Sequence, residues 1–207
     1  MKNIYVVTHT ESIHHVQGLA GGWYDTSLTE NGRNQAVKIA TALYSEIGTG
    51  NIPIHSSDLK RCAEVAGIFA EIFNSTIICN RDLREMSFGD ADGKPKEWRD
   101  KNTTPKPSND NRLDHHVFNG SESRRDVGTR IQNILGKILN EPEENVIVIT
   151  HGFALTFVIM AWLRVPVENM DYCGFESSPG GVTLLSEDDL YGNRAVIYIN
   201  KRDYMTA

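Results

Sequence analysis

Two short apolar runs interrupt an otherwise mixed pattern of hydrophobic and polar positions, and each ends on a histidine. Ile4-Tyr5-Val6-Val7 leads into Thr8-His9-Thr10-Glu11-Ser12, and Val146-Ile147-Val148-Ile149 leads into Thr150-His151-Gly152. Continuous β-prone runs without alternation are the pattern of strands covered on both faces of a parallel sheet. Ligands of open α/β sheets bind beyond the carboxyl ends of such strands, and both histidines fall there. Strand and helix patterns alternate along the rest of the chain. Thr29 is placed to cap a helix whose apolar side carries Ala36, Val37, Ile39, Ala40 and Leu43, closed by Gly48-Thr49-Gly50. Ile52-Pro53-Ile54-His55-Ser56 predicts a second strand. Ser57 or Asp58 can cap the following helix, which runs through Arg61 and Cys62 to about Phe73. Thr76-Ile77-Ile78-Cys79 predicts a third strand.

From Asp90 to Gly120 the pattern turns polar and proline-containing. That predicts an irregular, lid-like excursion with one helical turn near Trp98; disorder is the competing reading. Ser121 or Ser123 opens a helix to about Leu139, with Val127, Ile131, Ile134, Leu135 and Ile138 at helical spacing. Phe153 to Leu163 is apolar on most sides and predicts a buried helix. Gly180 to Leu185 and Ala195 to Ile199 predict two closing strands, with a turn at Tyr191-Gly192-Asn193. The expected fold class is α/β: one domain over residues 1–207, three layers, a mainly parallel central sheet and helices on both faces.

Composition narrows the possible functions. The chain has 207 residues, 40% of them hydrophobic, and a net charge of −6. An acidic domain of this kind disfavours nucleic acid as a partner, because phosphate-backbone binding calls for a basic face. Cys62, Cys79 and Cys173 are widely spaced and form no C-x-x-C pair, so neither a disulfide framework nor structural zinc is expected. The longest apolar stretch is too short to span a bilayer, and no leader-like segment opens the sequence. A cytoplasmic protein that is monomeric or homodimeric is the expectation, with no membrane partner.

A lone histidine at a strand end is weak evidence of chemistry; two such ends and an arginine are better. Arg61 falls in the first turn of a helix, where a cation opposes the helix dipole unless an anion is also bound. It is therefore a phosphate-site candidate, or else a solvated surface arginine. The glycine-rich loop after His9 holds His14, His15, Gln17, Gly18, Gly21, Gly22, Trp23 and Asp25. Such loops often hug a ligand, though glycine also simply builds turns.

The ordered set of motifs is more specific than any one of them. His9-x-Glu11-Ser12 is followed by Gly22-Trp23-x-Asp25-x-x-Leu28-Thr29-x-x-Gly32-x-x-Gln35-Ala36. Then come Ser56-Ser57-Asp58-Leu59-x-Arg61-Cys62, Leu83-Arg84-Glu85-x-x-Phe88-Gly89, Glu122-Ser123-x-x-Asp126-Val127-x-x-Arg130 and Val148-Ile149-Thr150-His151-Gly152. Over nearly the whole chain this resembles the histidine phosphatase superfamily, the phosphoglycerate-mutase-like fold. The resemblance implies one antiparallel edge strand and hydrolysis of a small-molecule phosphomonoester through a phosphohistidine. It implies no metal and no cofactor. At matching positions it implies that His9 is the nucleophile, Arg61 a phosphate-pocket arginine, Glu85 the general acid and His151 the second pocket histidine. Thr8, His15, Gln17 and Gly152 complete the expected substrate-binding set.

The chemistry agrees with these roles. A neutral imidazole carries no charge repulsion toward a phosphomonoester dianion and can attack phosphorus in line. Arginine and a second histidine can neutralise the equatorial oxygens without a metal. A partly buried carboxyl can hand a proton to the leaving alkoxide.

One departure stands out. The family usually opens Arg-His-Gly, and this chain has Thr8-His9-Thr10. Loss of a guanidinium from a phosphate clamp costs on the order of 2–4 kcal/mol of transition-state binding. A protonated His14 or His15 is expected to replace part of that charge and to favour mildly acidic pH; the alternative leaves both as loop surface residues. A metal site built from His9, His14 and His15 is disfavoured, since helical or strand ligand spacing is absent. Two other functions stay open: a phosphoglycerate-type mutase, and a catalytically weak binder of phosphate ligands favoured by Thr8. Trp23, Tyr24, Phe88 and Trp98 are available to shape a leaving-group pocket.

Overall fold

A computed structural model describes residues 1–48, 52–105 and 112–205. Six strands form one sheet in the order β3-β2-β4-β1-β5-β6: β1 (Lys2–Thr8), β2 (Ile54–Ser56), β3 (Ile77–Cys79), β4 (Asn145–Thr150), β5 (Val182–Glu187) and β6 (Arg194–Lys201). The first four pair in parallel, and β5 pairs antiparallel with both β1 and β6. The strand that opposes the others is therefore β5, second from the edge, and not the edge strand the resemblance implies. The reason is local. A short turn joins β5 to β6, and strands joined that way must pair antiparallel, so β6 regains the direction of β1.

Successive side chains of a strand point to opposite faces, which explains the unbroken apolar runs. Ile4 and Val6 of β1, with Val146 and Val148 of β4, pack under α5 (Arg124–Leu139) and α6 (Gly152–Trp162). Tyr5 and Val7, with Ile147 and Ile149, pack under α2 (Glu30–Ile47) and α3 (Lys60–Phe73). Two shorter helices, α1 (Ile13–Val16) and α4 (Lys96–Asn102), lie in the loops over the carboxyl ends of the strands. The second contains Trp98 and is longer than the single turn expected. No described helix is long and apolar enough to cross a membrane.

Two local expectations change and one is narrowed. Val37 is half exposed and stands off the apolar side of α2. Neither Ser57 nor Asp58 caps α3. Asp25 reaches across from the glycine-rich loop and accepts the Lys60 N–H at 2.8 Å, while Asp58 takes a bidentate pair with Arg84 at 2.6 and 2.7 Å. The α5 cap is Ser123, which forms a reciprocal box with Asp126. Thr49, Gly50 and Pro107 lie outside the described residues.

Candidate active site

β1 and β4 are neighbours, paired in parallel with Thr8 opposite Thr150. The next residue of each strand is a histidine, so both imidazoles emerge side by side. The His9 N–H bonds to Thr150 O at 3.0 Å, which carries the ladder one residue further and pins the nucleophile candidate to the sheet end. His9 Nδ1 lies 2.9 Å from Thr10 O. A carbonyl can only accept, so Nδ1 carries the proton and Nε2 keeps its lone pair. Arg61 Nε donates to that lone pair at 3.3 Å. The ring is 5% exposed. Burial, then the Arg61 charge, hold its pKa well below the ordinary histidine range.

His151 lies against His9, edge to face at 5.2 Å between centroids, and is fully buried. Ser57 Oγ holds its Nε2 at 2.8 Å. Its pKa is also held low, first by burial and then by Arg61. The solvent-facing wall at this point is Gly152; His151 sits behind it.

Arg61 is 1% exposed, so it is not a surface arginine. It forms no ion pair among the described residues. Nη1 donates to Tyr24 O at 2.9 Å and Nη2 to Gly22 O at 2.7 Å. Gly22 has φ +45°, and a Cβ there would lie 1.8 Å from Asp92 Oδ1. Only glycine fits where this carbonyl must turn toward the guanidinium.

Glu85 closes the same cavity. Oε1 accepts the N–H groups of Met86 at 2.9 Å and Ala154 at 3.1 Å, and Oε2 accepts that of Phe153 at 3.1 Å. It thus satisfies amides at the start of α6 that have no partner within the helix. Burial raises its pKa above the usual carboxylate range, against the opposing pull of those amides and Arg61. The Glu85 main chain is framed from behind. Arg130 donates to the carbonyls of Asp82, Arg84 and Glu85 at 2.8, 2.8 and 2.9 Å, and grips Glu122 at 2.8 and 2.9 Å. An Arg130→Ala chain leaves the mostly buried Glu122 carboxylate without its cation and takes this donor from the Asp82, Arg84 and Glu85 carbonyls. It should lose about 3 kcal/mol of stability, read as a lowered urea midpoint with an unchanged slope.

Around these groups lies a cavity of about 180 Å³, walled by Thr8, His14, His15 and Gly21 on one side and by Phe88, Ser177, Ser178 and Pro179 on another. Thr8, His9, His15, Arg61, Glu85 and Gly152 are thus brought together as the motifs suggest. Gln17 is not: it is exposed at the end of the first short helix and lines no wall. Of the aromatic candidates only Phe88 reaches the cavity. Trp23 is held by Arg81 and Arg84, 4.8 and 5.0 Å from its ring centroid, and bonds to Glu85 O. Ser177 and Ser178 escape sequence reasoning because they sit in a loop without a motif. The only signal was the small-residue run Ser177-Ser178-Pro179-Gly180-Gly181 before β5.

His14 is buried and His15 half-buried, so neither is a surface loop residue. Their surroundings hold both neutral, which corrects the expectation of a standing imidazolium. Burial, His15, Arg61 and Lys96 push the His14 pKa down to about 3. Burial, Lys96 and Arg61 push His15 down to about 4, against Glu11. The ligand atoms of His9, His14 and His15 lie within 4.8 Å of one another. Two of the three are poorly disposed to hold a metal. The His9 lone pair already receives Arg61 Nε, and the His15 Nδ1 lone pair receives the Ser12 N–H at 3.3 Å, which places the His15 proton on Nε2. A guanidinium 3.3 Å from one donor atom further opposes a cation.

The family model of the histidine phosphatase superfamily (branch 1) matches residues 4–196. The chain is 28% identical over 194 residues to a fructose-2,6-bisphosphatase of Saccharomyces cerevisiae, across 93% of this chain and 40% of that protein, so it spans two fifths of the yeast enzyme's length. It is 32% identical over 153 residues to phosphoglycerate mutase-like protein 4 of Arabidopsis thaliana, covering 72% of this chain and 66% of that one. A mycobacterial glucosyl-3-phosphoglycerate phosphatase solved with VO3 superimposes with a TM-score of 0.79 at 26% identity, covering 97% of this chain and 99% of the other. With a strand-end histidine, a buried arginine and a capping carboxyl in one cavity wall and the second strand-end histidine packed against the first, the chain belongs to the histidine phosphatase superfamily.

Proposed function

We propose that the chain hydrolyses small-molecule phosphomonoesters without a metal, through a phosphohistidine on His9. The observation that carries this reading is the state of the His9 ring: buried, neutral, with its proton fixed on Nδ1 and the Nε2 lone pair facing the cavity. An entering phosphoryl group takes over the Arg61 donor and releases that lone pair. Nε2 then attacks phosphorus in line while the bond to the leaving alcohol breaks. Glu85 passes a proton to the departing oxygen. Water next attacks the phosphohistidine, Glu85 takes the proton of that water, and the N–P bond breaks to release phosphate. His151, with Nε2 held by Ser57, packs edge to face on His9 behind Gly152 and positions the nucleophile ring. Relatives named for sugar and glycerate phosphates support a small polar alcohol as the leaving group.

The test is an alkaline quench during turnover of p-nitrophenyl phosphate in EDTA, followed by peptide mass mapping. A phosphoryl group on His9 is expected. Turnover with the label elsewhere, or turnover abolished by EDTA, overturns the reading. Exchange of phosphate between glycerate positions without net release would establish a mutase. The acid role has its own signature. Glu85→Gln should slow phosphoenzyme formation from an alkyl phosphate by about a hundredfold while sparing formation from p-nitrophenyl phosphate, whose leaving group needs little protonation; the later attack of water should slow equally for both. Equal losses in the formation step on both substrates would take the acid role from Glu85.

A further inference from the structure

Thr8 is 3% exposed, and its hydroxyl is buried without a hydrogen-bond partner, although it lines the cavity. A buried hydroxyl with no partner is costly, and the residue that carries it is part of the cavity wall. His14 and His15 stand beside it. Their ring centroids are 4.1 Å apart, and lie 5.9 and 5.3 Å from that of His9. Both rings are aimed. Ser12 Oγ holds His14 Nδ1 at 3.0 Å, with Thr26 Oγ1 at 3.2 Å, and the Ser12 N–H fixes His15 Nδ1. Gly21 keeps the space open: a Cβ there would lie 2.8 Å from His14 Nε2. The one guanidinium in the wall, Arg61, has already committed hydrogens to Gly22, Tyr24 and His9.

We propose that Thr8 Oγ1, His14 and His15 form the second half of the phosphoryl-oxygen cradle, and that this histidine pair takes up one proton from solution when a tetrahedral dianion enters. The inference rests on the phosphoryl-transfer reading for its meaning, but not for its test. The charged groups facing the pair are Arg61 from α3, Lys96 from the Lys96–Asn102 helix, and Glu11, with neutral His9 against both rings and Glu85 in the same cavity wall. In the empty site two cations outweigh Glu11, and both imidazoles stay neutral. A bound dianion reverses the local field and makes the imidazolium favourable. The second positive charge is then present only while substrate is bound. Through the weakly acidic range, dianion affinity should fall by about tenfold for each unit rise in pH, the slope of one linked proton.

Sulfate is a suitable probe, because it is tetrahedral and stays a dianion across this range. Any proton taken up on binding therefore goes to the protein. Calorimetric titration of the intact protein at about pH 6.5, in two buffers of different ionisation enthalpy, should show close to one proton gained per sulfate. The uptake should vanish in a His14→Asn/His15→Asn chain. It should persist in Thr8→Val, which should bind sulfate about tenfold more weakly for loss of one hydrogen bond. No uptake in the wild type, or undiminished uptake in the double variant, overturns the proposal, as does wild-type affinity in Thr8→Val. Circular dichroism and thermal melting show whether each variant is folded. Sulfate binding requires no turnover, so these results stand even if hydrolysis is never seen.

Discussion

A His9→Ala chain should turn over p-nitrophenyl phosphate in EDTA some 10⁵- to 10⁶-fold more slowly than the wild type, the scale seen when a covalent nucleophile is removed. The loss is expected in kcat, since the imidazole makes its bond only during reaction. The fold should survive. His9 contributes one side-chain bond to Thr10 O and one accepted bond from Arg61, while its main chain stays in the sheet ladder through Thr150 O. Sulfate should still bind, because the proposed cradle is intact. The vacated ring leaves an imidazole-sized space beside Arg61. Added imidazole should restore part of the rate by accepting the phosphoryl group in place of His9. A variant retaining a tenth or more of the wild-type rate would move the nucleophile elsewhere. His151 could not readily take the role, because it sits behind Gly152, with one nitrogen bonded to Ser57.

What was legible in the sequence was whatever a single strand or helix decides by itself. The two apolar runs named β1 and β4, because strands covered on both faces cannot alternate. Ser123 and Asp126 announced a helix start by their spacing, and Thr29 caps α2 through the Gly32 N–H. What was not legible depended on partners distant in the chain. Nothing local says that Asp25 caps α3, or that Glu85 caps α6, since both contacts cross the fold. β5 opposes β1, and the turn to β6 makes β6 oppose β5, whereas the resemblance placed the reversed strand at the edge. Thr8, where the resemblance expects an arginine, was plain, but the consequence drawn from it was misjudged. A histidine read from sequence carries its solution pKa, and these two lie in a desolvated wall facing Arg61 and Lys96. Spacing alone left Arg61 open between a phosphate pocket and the surface, because a buried arginine and a surface one share the same spacing in a first helical turn.

Replacement of that arginine gives the second large effect. Arg61→Ala should lower kcat/KM on the order of 10³- to 10⁵-fold, the scale at which arginine stabilises transferring phosphoryl charge. Arg61→Lys should recover no more than about tenfold of this, because an ammonium brings the charge but not the planar fork. Part of any loss is structural, since the carbonyls of Gly22 and Tyr24 surrender their donors, so melting temperature must be read beside rate. The pH profile separates the two contributions. Arg61 is the largest charge lowering the His9 pKa, after burial. In Arg61→Ala that pKa must rise toward its ordinary value, and His9 gains a proton as the pH falls. A protonated ring has no lone pair with which to attack, so an acid limb should enter the profile at a higher pH than in the wild type. Arg61→Lys keeps the charge and should leave that limb in place even though its rate is low. A merely misfolded site would scale the whole curve down without moving the limb. If the limb stays fixed in Arg61→Ala, Arg61 does not hold His9 neutral, and its place in the reaction reduces to gripping the phosphate.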